Sequence, residues 1–265
     1  MQIDGRAATA EEVASLALYN YGHFTSMTVE RGAVRGLPLH LERLVADCRT
    51  LFGADLDTGA VRQSIRSAVD EAAAAVCVVR VTVFAPDLDL ARPAAGGTPH
   101  MLVVSRAAPE HALPALRLAS VRYQRELAEV KHTGLFGAVW HRRAVQLAGA
   151  DDVVFVDAQG RISEGATWNI GFSDGRRVRW PAGSCLPGVT MRLLTDALTD
   201  AGIACDTAPL TLDRDSLGDQ VFAFTTNAVA GVRAVRSIDG MTFTPDHPML
   251  ETLSTAYRSI PGDRV

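Results

Sequence analysis

The sequence predicts a mixed α+β chain, and three observations carry that reading. Residues 76–84 (Val-Cys-Val-Val-Arg-Val-Thr-Val-Phe) are a mostly β-branched run, the composition of a buried strand. Residues 38–52 place Leu41, Leu44, Val45, Cys48, Leu51 and Phe52 on one helical face. The second half carries many short strand signals separated by turns, with no regular βαβ alternation and no internal repeat.

The elements follow in order. Residues 15–35 alternate in strand fashion, with Phe24, Met27 and Val29 ahead of a Glu30-Arg31-Gly32 turn. Pro38 suits the first turn of the helix over 38–52, and Gly53 suits its end. A second helix is expected over 58–75, then the strand at 76–84 and another at 100–105. Residues 86–99, rich in proline and glycine, read as a loop. Residues 107–114 read as a connector, which divides the chain into a small domain over 1–109 and a larger one over 110–265. The larger domain opens with a strand at 115–122 and a helix at about 134–149. Strands follow at 153–157, 161–163, 168–172 and 177–180, with Gly160 in one turn and Asp174-Gly175 in another. After Leu186-Pro187-Gly188 come a helix over 190–201, strands at 203–207, 220–225 and 231–236, and a helix from about 247.

Composition narrows the function classes. A hydrophobic content of 48% over 265 residues supports a packed core, and 21% charged residues argue against disorder. A formal net charge of −4 leaves no nucleic-acid footprint. Cys48, Cys77, Cys185 and Cys205 form no CxxC pair, which fits a reducing, cytoplasmic setting. The first residues carry no signal-peptide pattern, and no apolar run reaches membrane-spanning length. The seven histidines lack metal-ligand spacing, so no metal site is expected. There is no GxGxxG, Walker loop, HExxH or GxSxG motif, which argues against several large enzyme classes together.

One residue is singular. Lys131 is the only lysine among 26 basic side chains. Arginine can supply a fixed charge but cannot lose its proton near neutral pH, whereas lysine can become a nucleophile toward a carbonyl. Lys131 is therefore a candidate Schiff-base residue, with a surface lysine as the plain alternative.

Four segments occur in a telling order: His40-Leu-Glu-Arg43-Leu44, Val130-Lys131-His132, Ser163-Glu164-Gly165 with Asn169 five beyond the glutamate, and Leu186-Pro187-Gly188-Val189-Thr190. Together they resemble the class IV, fold-type IV family of pyridoxal 5'-phosphate (PLP) enzymes. That family includes branched-chain and D-amino-acid aminotransferases and aminodeoxychorismate lyase. The resemblance implies a small N-terminal α/β domain, a larger C-terminal domain with a barrel-like sheet, and a homodimer with the cofactor between the domains. It implies that Lys131 forms the Schiff base and then moves a proton, and that Glu164 faces the pyridine nitrogen. A carboxylate there favours the cationic ring by roughly 1–3 pKa units.

Arg43 is expected on the cofactor phosphate. So are Thr190 and the backbone N–H groups of Val189 and Thr190, because a helix start offers unpaired donors and a positive dipole end. A plain helix arginine and a plain cap threonine are the alternatives. Thr226, Asn227 and Ala228 end an apolar strand, where relatives close the phosphate or carboxylate site with small residues. Phe24, Arg80 and Phe136 are candidates for the substrate side, although Arg80 can equally belong to a buried ion pair.

The chain also departs from the family. Phe24-Thr25-Ser26 stands where aminotransferases have Phe-Glu or Tyr-Glu, and Phe136 stands where branched-chain enzymes have a tyrosine. Phe-Thr, Lys-His and Asn-Ala resemble the lyase branch instead. The expected function is amino transfer from a small amino acid or amine to a 2-oxo acid acceptor. A pyruvate-releasing lyase is the second reading, and a non-catalytic binding module of the same fold is the third.

Overall fold

The structure is a computed structural model that describes residues 1–109 and 113–265. The chain forms two compact units. One comprises Met1–Glu110, Val130–Gly134 and Pro261–Val265; the other comprises His111–Glu129 and Leu135–Ile260. The expected connector at 107–114 includes residues 110–112, which lie outside the described residues.

In chain order the elements are β1 (Gln2–Ile3), β2 (Arg6–Ala7), α1 (Ala10–Tyr19), β3 (Gly22–Glu30), β4 (Ala33–Arg35), α2 (Leu37–Phe52), α3 (Thr58–Ala72), β5 (Val76–Phe84) and β6 (His100–Ala107). The second unit holds β7 (Leu116–Arg122), α4 (Phe136–Leu147), β8 (Asp152–Val156), β9 (Ile162–Gly165), β10 (Asn169–Ser173), β11 (Arg177–Pro181), α5 (Val189–Asp200), β12 (Ala204–Ala208), α6 (Arg214–Leu217), β13 (Phe222–Asn227), β14 (Gly231–Ile238), β15 (Met241–Thr242) and α7 (Pro248–Ser259). The last strand, β16 (Gly262–Arg264), pairs with β4 in the first unit.

The first unit is one sheet in the order β16-β4-β3-β5-β6-β1-β2. Alternation along its strands sends Met27, Val29, Cys77, Val79, Val81 and Val83 to one face, where Leu37, Leu41, Leu44 and Cys48 of α2 and Val61 and Ile65 of α3 cover them. Both helices begin and end where local chemistry dictates. Asp57 accepts the Gly59 and Ala60 N–H groups at the start of α3, and Gly53 closes α2 at φ +62° by donating its N–H to the Arg49 carbonyl.

One expectation fails here. Residues 15–19, expected as strand, are the last turns of α1. Thr9 and Glu12 form a reciprocal capping box that starts this helix, and Asn20 ends it in the left-handed region. The strand begins only at Gly22.

The second unit is a nine-stranded sheet running β12-β11-β10-β13-β14-β7-β8-β9, with β15 hydrogen-bonded to β14. It curls until its ends meet. Thr211, just beyond β12, bridges to Arg161, and the Ile162 N–H donates to the Leu210 carbonyl at 2.7 Å. Leu118, Val154, Ile162, Ile170, Phe172, Ala223 and Val235 share one core cluster of this curled sheet. Phe222, Phe224, Val178 and Trp180 pack instead against Leu194 and Leu198 of α5 and Leu253 of α7. The expected barrel-like sheet is present.

Candidate active site

The sequence division places Lys131 with the second half, but residues 130–134 belong to the first unit. The reason is backbone pairing. The Phe24 N–H donates to the Lys131 carbonyl at 2.9 Å, the Thr133 N–H donates to the Gly22 carbonyl at 2.8 Å, and His23 bridges to His132. The segment is a short added strand on β3. Its alternation puts Lys131 on the same sheet face as Phe24. Lys131 Nζ stands 4.9 Å from the centroid of the Phe24 ring. Arg80 comes to the same ring from β5, with Cζ 3.6 Å from the centroid and Nε donating to Thr82 Oγ1 at 3.2 Å. Two cations thus share one aromatic ring. Burial lowers the pKa of Arg80, and the nearby Arg106 adds to the effect.

Behind that strand, α2 presents His40, Arg43 and Asp47. Arg43 Nη2 donates to Thr25 Oγ1, which lies 2.7 Å from His40 Nδ1. Arg43 Nη2 also lies 3.4 Å from His40 Nδ1, so the guanidinium faces both partners. Burial holds His40 well below its usual pKa, and the Arg43 and Lys131 charges push it the same way. Asp47, 4% exposed, accepts the main-chain N–H of Lys131 at 3.1 Å. His23 is fully buried with no hydrogen-bond partner on either ring nitrogen; burial, aided by Arg43, lowers its pKa to about 4.

In the second unit, Glu164 lies on β9 with both oxygens engaged. Oε1 accepts from Arg125 Nε at 2.9 Å, and Oε2 accepts from the Leu186 N–H at 3.1 Å. Both side chains of this ion pair are more than nine-tenths buried. Asn169 Nδ2 donates to the carbonyl of the same Leu186 at 2.8 Å. A Cβ at residue 188 would overlap Asn169 Oδ1, so a larger residue there would displace the Asn169 side chain from its place on the turn. Glu164 and Asn169 thus fix the turn that launches α5. Cys185 in this turn is a poor nucleophile. Burial, with Glu164 adding, raises its thiol to about 11.

The first turn of α5 carries Val189 and Thr190, both buried, and its N-cap, Gly188, offers no side chain to the free N–H groups. Thr190 begins the buried stripe that continues with Leu194 and Leu198. Those leucines pack on Phe222 and Phe224, and alternation along β13 puts Thr226 on that same face. The hydroxyls of Thr190 and Thr226 are both buried and both lack a hydrogen-bond partner. Asn227 spends its side chain on its own turn, accepting the N–H groups of Val229 and Ala230 at 2.9 and 2.7 Å. Ala228 lies in that turn. Phe136 opens α4, is 79% exposed and stacks on Trp140.

Lys131, Arg43, Phe24 and Arg80 therefore belong to the first unit. Glu164, Val189, Thr190, Asn227, Ala228 and Phe136 belong to the second. Sequence reasoning missed Arg125 and Asp47, which sit in no motif, and the linking role of Thr25. Among the described residues no group of three or more His, Cys, Asp or Glu side chains could hold a metal ion, and no helix is long and apolar enough to cross a membrane.

The model of the family described as amino-transferase class IV matches residues 22–238. No curated protein matches the chain. Among solved structures, a hypothetical aminotransferase from Mycobacterium tuberculosis is similar at a TM-score of 0.81 and 18% identity, over 96% of this chain and 93% of that one, and one of its structures is a PLP-bound form. A putative 4-amino-4-deoxychorismate lyase from Legionella pneumophila gives 0.80 and 19%, over 93% of each chain. The branched-chain amino acid aminotransferase from Escherichia coli gives 0.82 and 18%, over 93% of this chain and 86% of that one. At such identities these structures show the fold, which is fold type IV.

Proposed function

The chain belongs to the class IV aminotransferase family, and from that membership we propose that it uses PLP to move an amino group between a small amino acid or amine and a 2-oxo acid. The observation that carries the cofactor is the buried, unpartnered hydroxyl of Thr190 in the open first turn of α5, with that of Thr226 on β13 buried and unpartnered as well. A buried hydroxyl without a partner costs about 1–3 kcal/mol, and a phosphate would supply the missing acceptor. When bound, PLP supplies an aldehyde that condenses with a primary amine, with loss of water, and a cationic ring that draws off electrons.

This chain's residues then have distinct tasks. Lys131 would hold the cofactor through Nζ and, as a base, would take and hold the proton of the substrate Cα. Glu164 keeps a proton on the ring nitrogen, and Arg125 holds the carboxylate in place. Thr190, Thr226, the N–H groups of Val189 and Thr190, and Arg43 bind the phosphate; Asn227 and Ala228 shape the turn beside it. Arg80 takes a substrate carboxylate, with Phe24 and Phe136 bounding the substrate. The working form would be a homodimer that covers Phe136, Val139, Trp140 and Leu147, all exposed on α4; light scattering tests it. Four unpaired cysteines fit a cytoplasmic setting.

A specific observation favours a second reading. Thr25 replaces the family's glutamate beside Arg43, and Phe136 cannot donate the hydrogen bond of the branched-chain tyrosine. Both depart from the aminotransferase pattern, and Phe24-Thr25, Lys131-His132 and Asn227-Ala228 resemble the lyase branch, which releases pyruvate. Purified protein given PLP and an amino donor alone separates the two. A transaminase converts its cofactor to the amine form; a lyase releases pyruvate from its substrate without an acceptor. Absence of any bound-cofactor absorbance would point to a non-catalytic module.

A further inference from the structure

Asp47 lies outside every motif that carries the family resemblance. It sits on α2, seven residues beyond His40 and four beyond Arg43, so the three share one side of the helix. Its flanking residues Leu44 and Cys48 are buried in the apolar core of the first unit. A carboxylate at 4% exposure is costly unless its charge is used. Asp47 Oδ2 accepts the Lys131 main-chain N–H at 3.1 Å. The Lys131 carbonyl is taken by the Phe24 N–H at 2.9 Å. The main chain of the lysine is therefore gripped on both sides, from α2 and from β3. One turn earlier on α2, Arg43 is tied to β3 through Thr25.

We propose that Asp47 is the positioning residue for Lys131, anchoring the lysine main chain to the helix that carries Arg43. Lysine has a long, flexible stem, so the direction of Nζ depends on how firmly its Cα is placed. A buried hydrogen bond to the amide fixes that Cα. It also holds the lysine in step with Arg43, so that the amine and the phosphate-binding guanidinium keep one spacing. The proposal rests on Lys131 being the cofactor lysine for its purpose, but its structural half stands without any cofactor.

The experiment uses hydrogen–deuterium exchange of the full-length protein without PLP, on wild type, Asp47→Asn, Asp47→Ala and Asp47→Leu. Asn keeps an oxygen acceptor; Ala and Leu do not. Ala serves if Leu does not fold. Exchange at the Lys131 amide is expected to rise about tenfold or more in the Ala or Leu variant and to stay near wild type in Asn, with the amides of α3 unchanged in all. Titration with PLP, trapped by borohydride and read by intact mass, is expected to need about tenfold more cofactor for half-modification in Ala or Leu, with Asn restoring it. Unchanged Lys131 exchange in Ala and Leu overturns the proposal. Faster exchange at Lys131 in a protein whose wild type takes up no PLP overturns the cofactor reading and leaves the anchor intact.

Discussion

Two buried threonines set the two regions of the molecule apart. Thr25 on β3 is saturated: it accepts from Arg43 and faces His40 Nδ1 at 2.7 Å. Thr226 on β13 is as deeply buried, at 1% exposure, and its hydroxyl has no partner. On the α2–β3 side Thr25, Arg43 and His40 share one set of contacts, and the unpartnered groups there are the two ring nitrogens of buried His23 rather than a hydroxyl. The α5–β13 region carries open hydrogen-bonding capacity, at Thr226 and again at Thr190. Folding does not favour such a gap, so its natural explanation is a ligand that fills it.

Substitutions on the two sides should therefore behave differently. The largest effect belongs to Lys131→Arg, which keeps the charge but removes the only lysine. Covalent cofactor attachment should vanish from the absorbance spectrum and turnover should fall to background, with the melting temperature of the cofactor-free protein unchanged. Next is Glu164→Gln. Losing the anionic partner of the ring nitrogen should lower kcat by roughly 10- to 1,000-fold, with cofactor still bound. The threonines give the sharpest contrast. Thr25→Val should destabilise the cofactor-free protein by about 1–3 kcal/mol in urea melts, because Arg43 and His40 lose a buried partner. Thr226→Val should leave that stability within about 0.5 kcal/mol, or raise it, since an unpaired hydroxyl is removed, yet weaken PLP binding by roughly tenfold or more. Equal behaviour of the two would erase the distinction.

The remaining effect is a pH dependence of the α2–β3 side. His23 titrates near 4 when folded and near 6.5 when unfolded. Between those values the unfolded chain binds a proton that the folded chain excludes. Stability of the cofactor-free protein should thus fall as pH drops from about 6.5 to 4, by up to about 3 kcal/mol, and His40 acts in the same direction. His23→Phe should flatten this slope in thermal melts across that range.

Much of this was legible in the sequence. The β-branched run at 76–84 and the apolar face of 38–52 fall on β5 and α2 because period and burial agree there. The turn before α5 was legible through Pro187-Gly188, and Thr190 through the helix start behind it. The capping box Thr9–Glu12 was present in the residues, but the alternation at 15–19 masked it. Arg125 and Asp47 were hidden for another reason. Their partners, Glu164 and the Lys131 amide, lie 39 and 84 residues away, and nothing local marks a long-range partner. Lys131 illustrates the same limit. Its residue type identified it, but its place beside β3 follows from backbone pairing with Phe24 and Gly22, which no spacing rule reveals.

The most direct measurement is borohydride reduction of the purified protein with PLP, followed by intact mass and peptide mapping. Because the chain contains one lysine, the expected result is a single phosphopyridoxyl addition per chain, located at Lys131 and absent from Lys131→Arg. No addition, or an addition confined to the N-terminal amine, would contradict the role given to Lys131.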